Sequence, residues 1–160
     1  MASTRRVLAI ASTGGHWVQL RRLRPAWDGC PVMYATTDAG HREEVMRDAA
    51  ARGQPVPRFR TVREANRWQK WRLIRQFLGV LWLLVTFRPH VIVTTGAAPG
   101  FFAVFAGHYL GMRTVWIDSV ANGEELSLSG KRAGRFATLW LTQWESLSTP
   151  DGPRFAGTVL

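Results

Sequence analysis

The strongest constraint in this chain is a repeated order: a short β-branched run, a glycine turn, then an apolar stretch of helical length. It is plainest between residues 90 and 130. Val91-Ile-Val93 suits a strand buried on both faces. Gly96, Pro99 and Gly100 read as a turn, and residues 101–110 predict a helix closed by Gly111. Val115-Trp-Ile117 is the next buried strand and runs into Asp118. Successive parallel strands whose loops open at one edge are where an α/β protein builds its site.

The same order governs the rest of the chain. Residues 6–12 read as a first buried strand, Thr13-Gly-Gly-His16 as a glycine turn, and residues 17–23 as a helix stopped by Pro25. Residues 32–37 form a second strand ending on Asp38, and residues 42–52 an exposed charged helix. Residues 55–62 make a poor strand. Residues 131–137 predict a last helix and residues 138–142 a short final strand, with residues 144–153 a loop and 155–160 a tail without a fold of its own. Strands alternating with helices imply one α/β domain over residues 1–160, a parallel sheet with helices on both faces.

Residues 66–87 stand apart. Trp68, Trp71, Ile74, Arg75, Leu78, Leu81, Trp82 and Val85 keep helical spacing, with Arg67, Lys70, Arg72 and Arg75 crowding the first half. The later half is apolar all round, but eleven residues reach about 16 Å, short of a bilayer core of about 30 Å. Two readings stay open: an interfacial anchor with Trp and Arg at its boundary, or a crossover helix buried in the core.

Charge is distributed unevenly. Formal net charge is +10; residues 1–75 hold 15 Lys+Arg against 6 Asp+Glu, and residues 76–160 hold 6 against 5. A localised basic surplus implies an anionic partner: nucleic acid, lipid headgroups or a phosphorylated substrate. The single cysteine, Cys30, excludes an internal disulfide. The chain start runs straight into a strand, so no signal peptide is expected.

Three loops are predicted to meet at the carboxyl edge of the sheet: residues 13–16, 95–100 and 118–129. They carry hydroxyls (Ser12, Thr13, Thr95, Ser119, Ser127, Ser129), the imidazole of His16, and the carboxylates Asp118, Glu124 and Glu125. The glycine turn before a helix suits an anion held by free backbone N–H groups. The set fits a phosphate and a sugar, with a base for a hydroxyl. His16 is the base candidate, because histidine titrates near neutrality; a capping or packing role is the alternative. For Asp118 the choice is between direct chemistry and holding the loop. No residues have metal-ligand spacing, and neither G-x-G-x-x-G nor a P-loop occurs.

Several motifs together resemble one family: Ser12-Thr-Gly-Gly-His16, the segment 88–100, Trp116-Ile-Asp-Ser-Val-Ala-Asn122, Leu126-Ser-Leu-Ser-Gly130, Leu141-Thr-Gln-Trp144 and Gly157-Thr-Val-Leu160. The family is the acceptor-side, membrane-associating subunit of the two-subunit UDP-N-acetylglucosamine transferase of lipid-linked oligosaccharide synthesis. Its bacterial relatives serve exopolysaccharide and capsule assembly. More distantly, the Gly-Gly-His loop is similar to that of the peptidoglycan transferase that makes lipid II.

The resemblance implies the N-terminal, Rossmann-like half of a GT-B glycosyltransferase, a subunit inactive without its partner. It would bind a lipid-diphosphate-linked saccharide, while a separate chain forms the donor-binding half and holds the UDP-sugar. No other cofactor and no metal is expected. Catalysis would fall to His16 and Asp118. Substrate contact would fall to Ser12, Thr13, Gly14, Gly15, Thr95, Gly96, Pro99, Gly100, Asn122, Glu125, Ser127 and Ser129. The eukaryotic relatives carry an N-terminal transmembrane helix, and none is expected here. Peripheral attachment to an anionic membrane, at its cytoplasmic face, would then fall to Trp68, Trp71, Arg72, Arg75, Leu78 and Trp82, and partner docking to residues 155–160 and 140–144.

Two other classes compete. An NAD(P)-binding oxidoreductase is suggested by Asp38, which ends the second strand where such enzymes place a ribose-binding acid; the glycine pattern opposes it. A nucleic-acid-binding module is suggested by +10 and eight Trp, but the basic residues share their segment with a bulky apolar run. No nucleic-acid partner is expected.

Overall fold

The computed structural model describes residues 4–159; Met1, Ala2, Ser3 and Leu160, and the expectations placed on them, lie outside the described residues. The strands are β1 (Val7–Ile10), β2 (Val32–Thr36), β3 (Arg58–Thr61), β4 (Val91–Thr94), β5 (Arg113–Ile117), β6 (Leu139–Thr142) and β7 (Arg154–Phe155). They form one sheet in the order β3-β2-β1-β4-β5-β6-β7, and every pairing is parallel. The helices are α1 (Gly15–Arg22), α2 (Arg42–Ala51), α3 (Lys70–Phe87), α4 (Ala97–Tyr109) and α5 (Leu128–Ala133).

The central strand explains why its sequence lacks alternation. β1 is buried throughout, and neighbouring side chains point to opposite faces. Leu8 and Ile10 meet Val80, Leu83, Leu84 and Phe87 of α3 and Ala103 and Ala106 of α4. Val7 and Ala9 meet Trp17 and Leu20 of α1 and Val45 of α2. The result is the two-sided, Rossmann-like α/β sheet expected from the sequence. β1 pairs with β2 on one side (Val7↔Val32) and with β4 on the other (Val7↔Val91). The chain therefore departs in opposite directions after these two strands, and a crevice opens at their carboxyl ends.

α3 is a crossover helix of the sheet with two unlike faces, one seated in the core and one exposed. Gln76, Val80, Leu83, Leu84 and Phe87 are buried. Trp71, Ile74, Leu78, Trp82 and Val85 form a second stripe that is exposed, Trp71 by 79%. Leu81 packs on the core side. The helix starts at Lys70, so Trp68 lies in the turn before it, with the Arg67 guanidinium 4.8 Å from its ring centroid.

Four local expectations need correction. Pro99 and Gly100 lie inside α4, not in a turn. The turn is made by Gly96 (φ 125°) and Ala97 (φ 64°); Pro99 sits in the first helical turn, where its missing N–H leaves no bond unmade. Gly100 is inside the helix, and glycine is needed there because a Cβ would overlap the Thr94 hydroxyl. α5 begins at Leu128, since the Ser127 hydroxyl accepts from Gly130 N at 2.8 Å and caps it. Finally, the tail is not structureless: Arg154 and Phe155 pair with Leu141 and Thr142 as an edge strand.

Candidate acceptor site at the switch point

The crevice between β1 and β4 is built around His16, in the first turn of α1. Its Nδ1 lies 2.9 Å from the Thr95 carbonyl oxygen. A carbonyl only accepts, so Nδ1 carries a hydrogen, and Nε2 is the ring nitrogen left for a substrate. Nε2 makes no hydrogen bond among the described residues. In return the Thr95 hydroxyl donates to the His16 carbonyl at 2.6 Å. The two bonds clamp the first and fourth strand loops together and fix the imidazole plane. Gly96 lies directly under that ring: a Cβ there would come 3.0 Å from His16 Cε1. Ala97, next to it, holds a left-handed conformation unusual for a residue with a side chain.

The glycine turn beside His16 divides its tasks. Thr13 N donates to the Thr37 hydroxyl (3.0 Å), and the Thr13 hydroxyl pairs with His41 Nε2 (2.9 Å). His41 in turn stacks on Trp17, with ring centroids 5.0 Å apart. Thr13 is thus committed to holding the turn. Gly14 and Gly15 are exposed, and no side chain caps α1, so the first N–H groups of the helix face open space. Ser12 is half-buried at the end of β1.

In the third loop, Asp118 is 2% exposed. Its Oδ1 accepts from Trp116 Nε1 (3.1 Å) and the Ser127 hydroxyl (2.6 Å); its Oδ2 accepts from Ser127 N (2.9 Å) and Asn122 Nδ2 (3.2 Å). Four donors on two oxygens leave no room for a substrate proton. The geometry makes Asp118 the post around which residues 119–130 are wound, not a base. Glu125 is exposed and bonded to Lys131 at 2.8 Å; that hydrogen bond and the lysine charge hold its carboxyl below the usual range. Glu125 is therefore a poor acceptor of a proton as well. Asn122 is half-buried on the loop, and Ser129, also half-buried, lies in the first turn of α5.

The structure thus brings His16, Gly14, Gly15 and the loop carrying Asn122 to one edge. It withdraws Thr95, Gly96, Pro99 and Gly100, expected to touch substrate, because all four are buried. Ser127 is spent on Asp118 and on capping α5. Among the described residues, no group of three or more His, Cys, Asp or Glu side chains is placed to hold a metal ion.

Two buried amides escaped the sequence reading. Gln19 donates to the Ser119 hydroxyl (3.0 Å) and accepts from Val120 N (3.0 Å) and Gln143 Nε2 (2.6 Å). Gln143 also donates to the Asp118 carbonyl (2.9 Å), and its Oε1 accepts from Val159 N at 2.8 Å. Its own carbonyl accepts from the Thr158 hydroxyl (2.9 Å). Residues 141–144 and 157–159 are therefore one feature, which ties the tail to the floor of the site loop. Gln143→Leu keeps the shape and removes every side-chain bond. It is expected to cost about 1–3 kcal/mol, the scale of leaving buried partners unsatisfied, read as a lowered urea midpoint.

The basic and aromatic residues 63–75 belong to the same edge. β3 ends there and α3 starts there before running back to β4. Trp68, Trp71, Arg72, Arg75, Leu78 and Trp82 are all exposed. Among the described residues, no helix is long and apolar enough to cross a membrane.

Comparison with known proteins bears on the fold and the family. Over 173 aligned residues the chain is 28% identical to the UDP-N-acetylglucosamine transferase subunit ALG14 of Eremothecium gossypii, covering 90% of this chain and 75% of that one. MurG of Acinetobacter baumannii superposes with a TM-score of 0.65 at 13% identity, over 97% of this chain and 45% of MurG. UDP-GlcNAc 2-epimerase from Neisseria meningitidis superposes with a TM-score of 0.61 at 11% identity, over 86% of this chain and 40% of the epimerase. The chain spans less than half the length of either solved protein, and the likeness is one of fold, to GT-B architecture. The family model for Alg14-like oligosaccharide biosynthesis proteins matches residues 28–159, a span that takes in β2 to β7 and the whole Asp118 loop, and the chain belongs to that family.

Proposed function

We propose that this chain is the acceptor-binding subunit of a two-chain UDP-N-acetylglucosamine transferase, working on a lipid-diphosphate-linked saccharide at a membrane surface. The observation that carries the reading is the His16–Thr95 clamp, which leaves Nε2 without a partner next to the uncapped Gly14–Gly15 turn. An imidazole so held can take the proton of a sugar hydroxyl as that oxygen attacks. The turn offers N–H groups to phosphate oxygens, and Asn122 contributes a side-chain amide oxygen from the opposite loop. The UDP-sugar is bound mainly by the partner chain, the donor-side GT-B half. The same architecture would serve bacterial exopolysaccharide or capsule assembly.

A second feature supports a partner in trans. On the sheet face shared with α1 and α2, strands β4 to β6 present Val91, Val115 and Leu141, all half-buried, and Leu139, 39% exposed. An apolar sheet face left half-wet is a natural seat for another chain. Trp144 continues it: its indole donates to the Val120 carbonyl at 2.8 Å while the ring stays partly exposed. The oxidoreductase alternative loses its main support, because Asp38 Oδ1 is occupied by Gly40 N at 2.8 Å and caps its own turn.

The test is transfer from radiolabelled UDP-N-acetylglucosamine to a lipid-diphosphate saccharide, with this chain alone and with its reconstituted partner. Product is expected only from the pair, and Leu139→Asp should prevent capture of the partner while leaving the fold intact. Robust transfer by the single chain would overturn the two-chain reading.

A further inference from the structure

We propose that the cleft at the amino edge of the sheet, beneath the end of α3, is a separate anion site that takes a soluble nucleoside diphosphate. Its volume is about 600 Å³, within the range of small-molecule sites. Its cations are Arg5, Arg88, His90 and Arg113. They meet because residues at the starts of β1, β4 and β5, neighbours in a parallel sheet, share one edge. Among the described residues no carboxylate lines the cleft. The face held by α1 and α2 is different: there Arg21, Arg24 and Arg52 all pair with Asp28 or Asp48. Among the described residues Arg88 and Arg113 have no ion-pair partner, and both are exposed.

The backbone supports the same reading. Arg88 ends α3 with φ 50° and ψ 62°, a left-handed conformation for which glycine or asparagine is the usual choice. An arginine kept at a strained position points to use of its side chain. Arg6 braces it, donating from Nε to the Arg88 carbonyl at 2.9 Å. Among the described residues Arg88 commits only its own Nε, to the Val85 carbonyl at 3.3 Å, so its terminal nitrogens can meet phosphate oxygens in pairs. His90 is set as a donor: its Nδ1 accepts from Arg6 N at 3.1 Å, so Nε2 carries the hydrogen. The other wall is apolar, with Leu84, Leu110 and Met112. Leu84 packs on the sheet side of α3, so the cleft reaches under the helix, away from Trp71, Leu78 and Trp82. That favours a soluble phosphate carried on a flat ring over a headgroup held in a bilayer. No Asn, Gln, Ser or Thr side chain lines the cleft to read a base, so one base should serve as well as another. His90 and Thr95 flank opposite ends of β4, a strand about 13 Å long. The site is therefore distinct from His16, and the inference does not rest on the transferase reading.

The test titrates the full chain, with no partner present, with ADP, UDP and inorganic phosphate, and follows backbone amide NMR shifts residue by residue. ADP and UDP are expected to shift His90, Gly111, Met112 and Arg113 alike, with half-saturation below about 1 mM. Inorganic phosphate lacks the ring that meets the apolar wall and should bind about tenfold more weakly or less. Arg88→Gly removes the guanidinium while relieving the backbone. Its unfolding midpoint should hold or rise, while affinity for ADP falls about tenfold or more, the scale of lost charge-assisted bonds. Arg113→Gln should weaken binding similarly, and His16→Ala should leave it unchanged. Shifts centred on Gly14, Gly15 and His16 would place the nucleotide at the carboxyl edge and overturn the proposal. Phosphate bound as tightly as ADP, or an unchanged affinity in a folded Arg88→Gly protein, would also overturn it. So would the absence of shifts at the cleft; if Arg88→Gly then weakened flotation with phosphatidylglycerol vesicles, the cleft would be a headgroup site instead.

Discussion

His16→Ala is expected to lower turnover of the assembled pair by about 10²- to 10⁴-fold, the usual contribution of a positioned general base. The argument is geometric. Thr95 holds the Nδ1 side of the ring and is itself buried, so Nε2 is the free nitrogen and its direction is set by two reciprocal bonds. The nearby carboxylates offer no substitute: Asp118 is saturated by four donors, and Glu125 is tied to Lys131. His16→Asn sharpens the test, since its amide can still donate toward the Thr95 carbonyl but cannot accept a proton at neutral pH. Asn should be as slow as Ala, with partner capture and liposome binding near normal. A variant that keeps turnover within a few-fold of wild type would remove His16 from the chemistry and leave it as a packing residue over Gly96.

Trp71→Ser, Leu78→Ser and Trp82→Ser together are expected to release a folded protein from anionic liposomes. All three side chains lie on the exposed stripe of α3 and contribute nothing to the core. Taking roughly 1.5 kcal/mol for each large apolar side chain that leaves water, the triple variant loses about three powers of ten in partitioning. The guanidinium groups of Arg67, Arg72 and Arg75 add attraction that salt screens, so flotation of wild type should weaken, but not vanish, at high ionic strength. Leu81 is the contrasting position. It packs inward against the core, so Leu81→Ser should lower the unfolding midpoint and leave the exposed stripe untouched. Wild type that ignores liposomes at low salt would end the attachment proposal whatever the variants do.

Much of this protein could be read from its residues in order. Buried β-branched runs, glycine turns and apolar segments determined a two-sided parallel sheet, because local spacing alone says which segments can be strands, and topology then places their loops at one edge. The Gly14-Gly15-His16 turn and the loop after β4 were recognisable for that reason. Tertiary structure decided what periodicity leaves open. α3 carries apolar residues around its whole later half, and only its seating over β1 and β4 decided that Leu83 and Leu84 face the sheet while Leu78 and Trp82 face out. Gly100 looked like a turn residue because glycine serves turns and close approaches alike; the Thr94 hydroxyl beneath it shows that close approach is what requires glycine there. Asp118 ends a strand, as a catalytic acid would, but its role depends on donors from residues 122 and 127 that a strand-end position does not specify. Gln19 and Gln143, 124 positions apart, have no local signature at all. A buried amide in an apolar helix is told from an exposed one only by the partners that folding brings to it, and here those partners are the backbone of the site loop and of the tail.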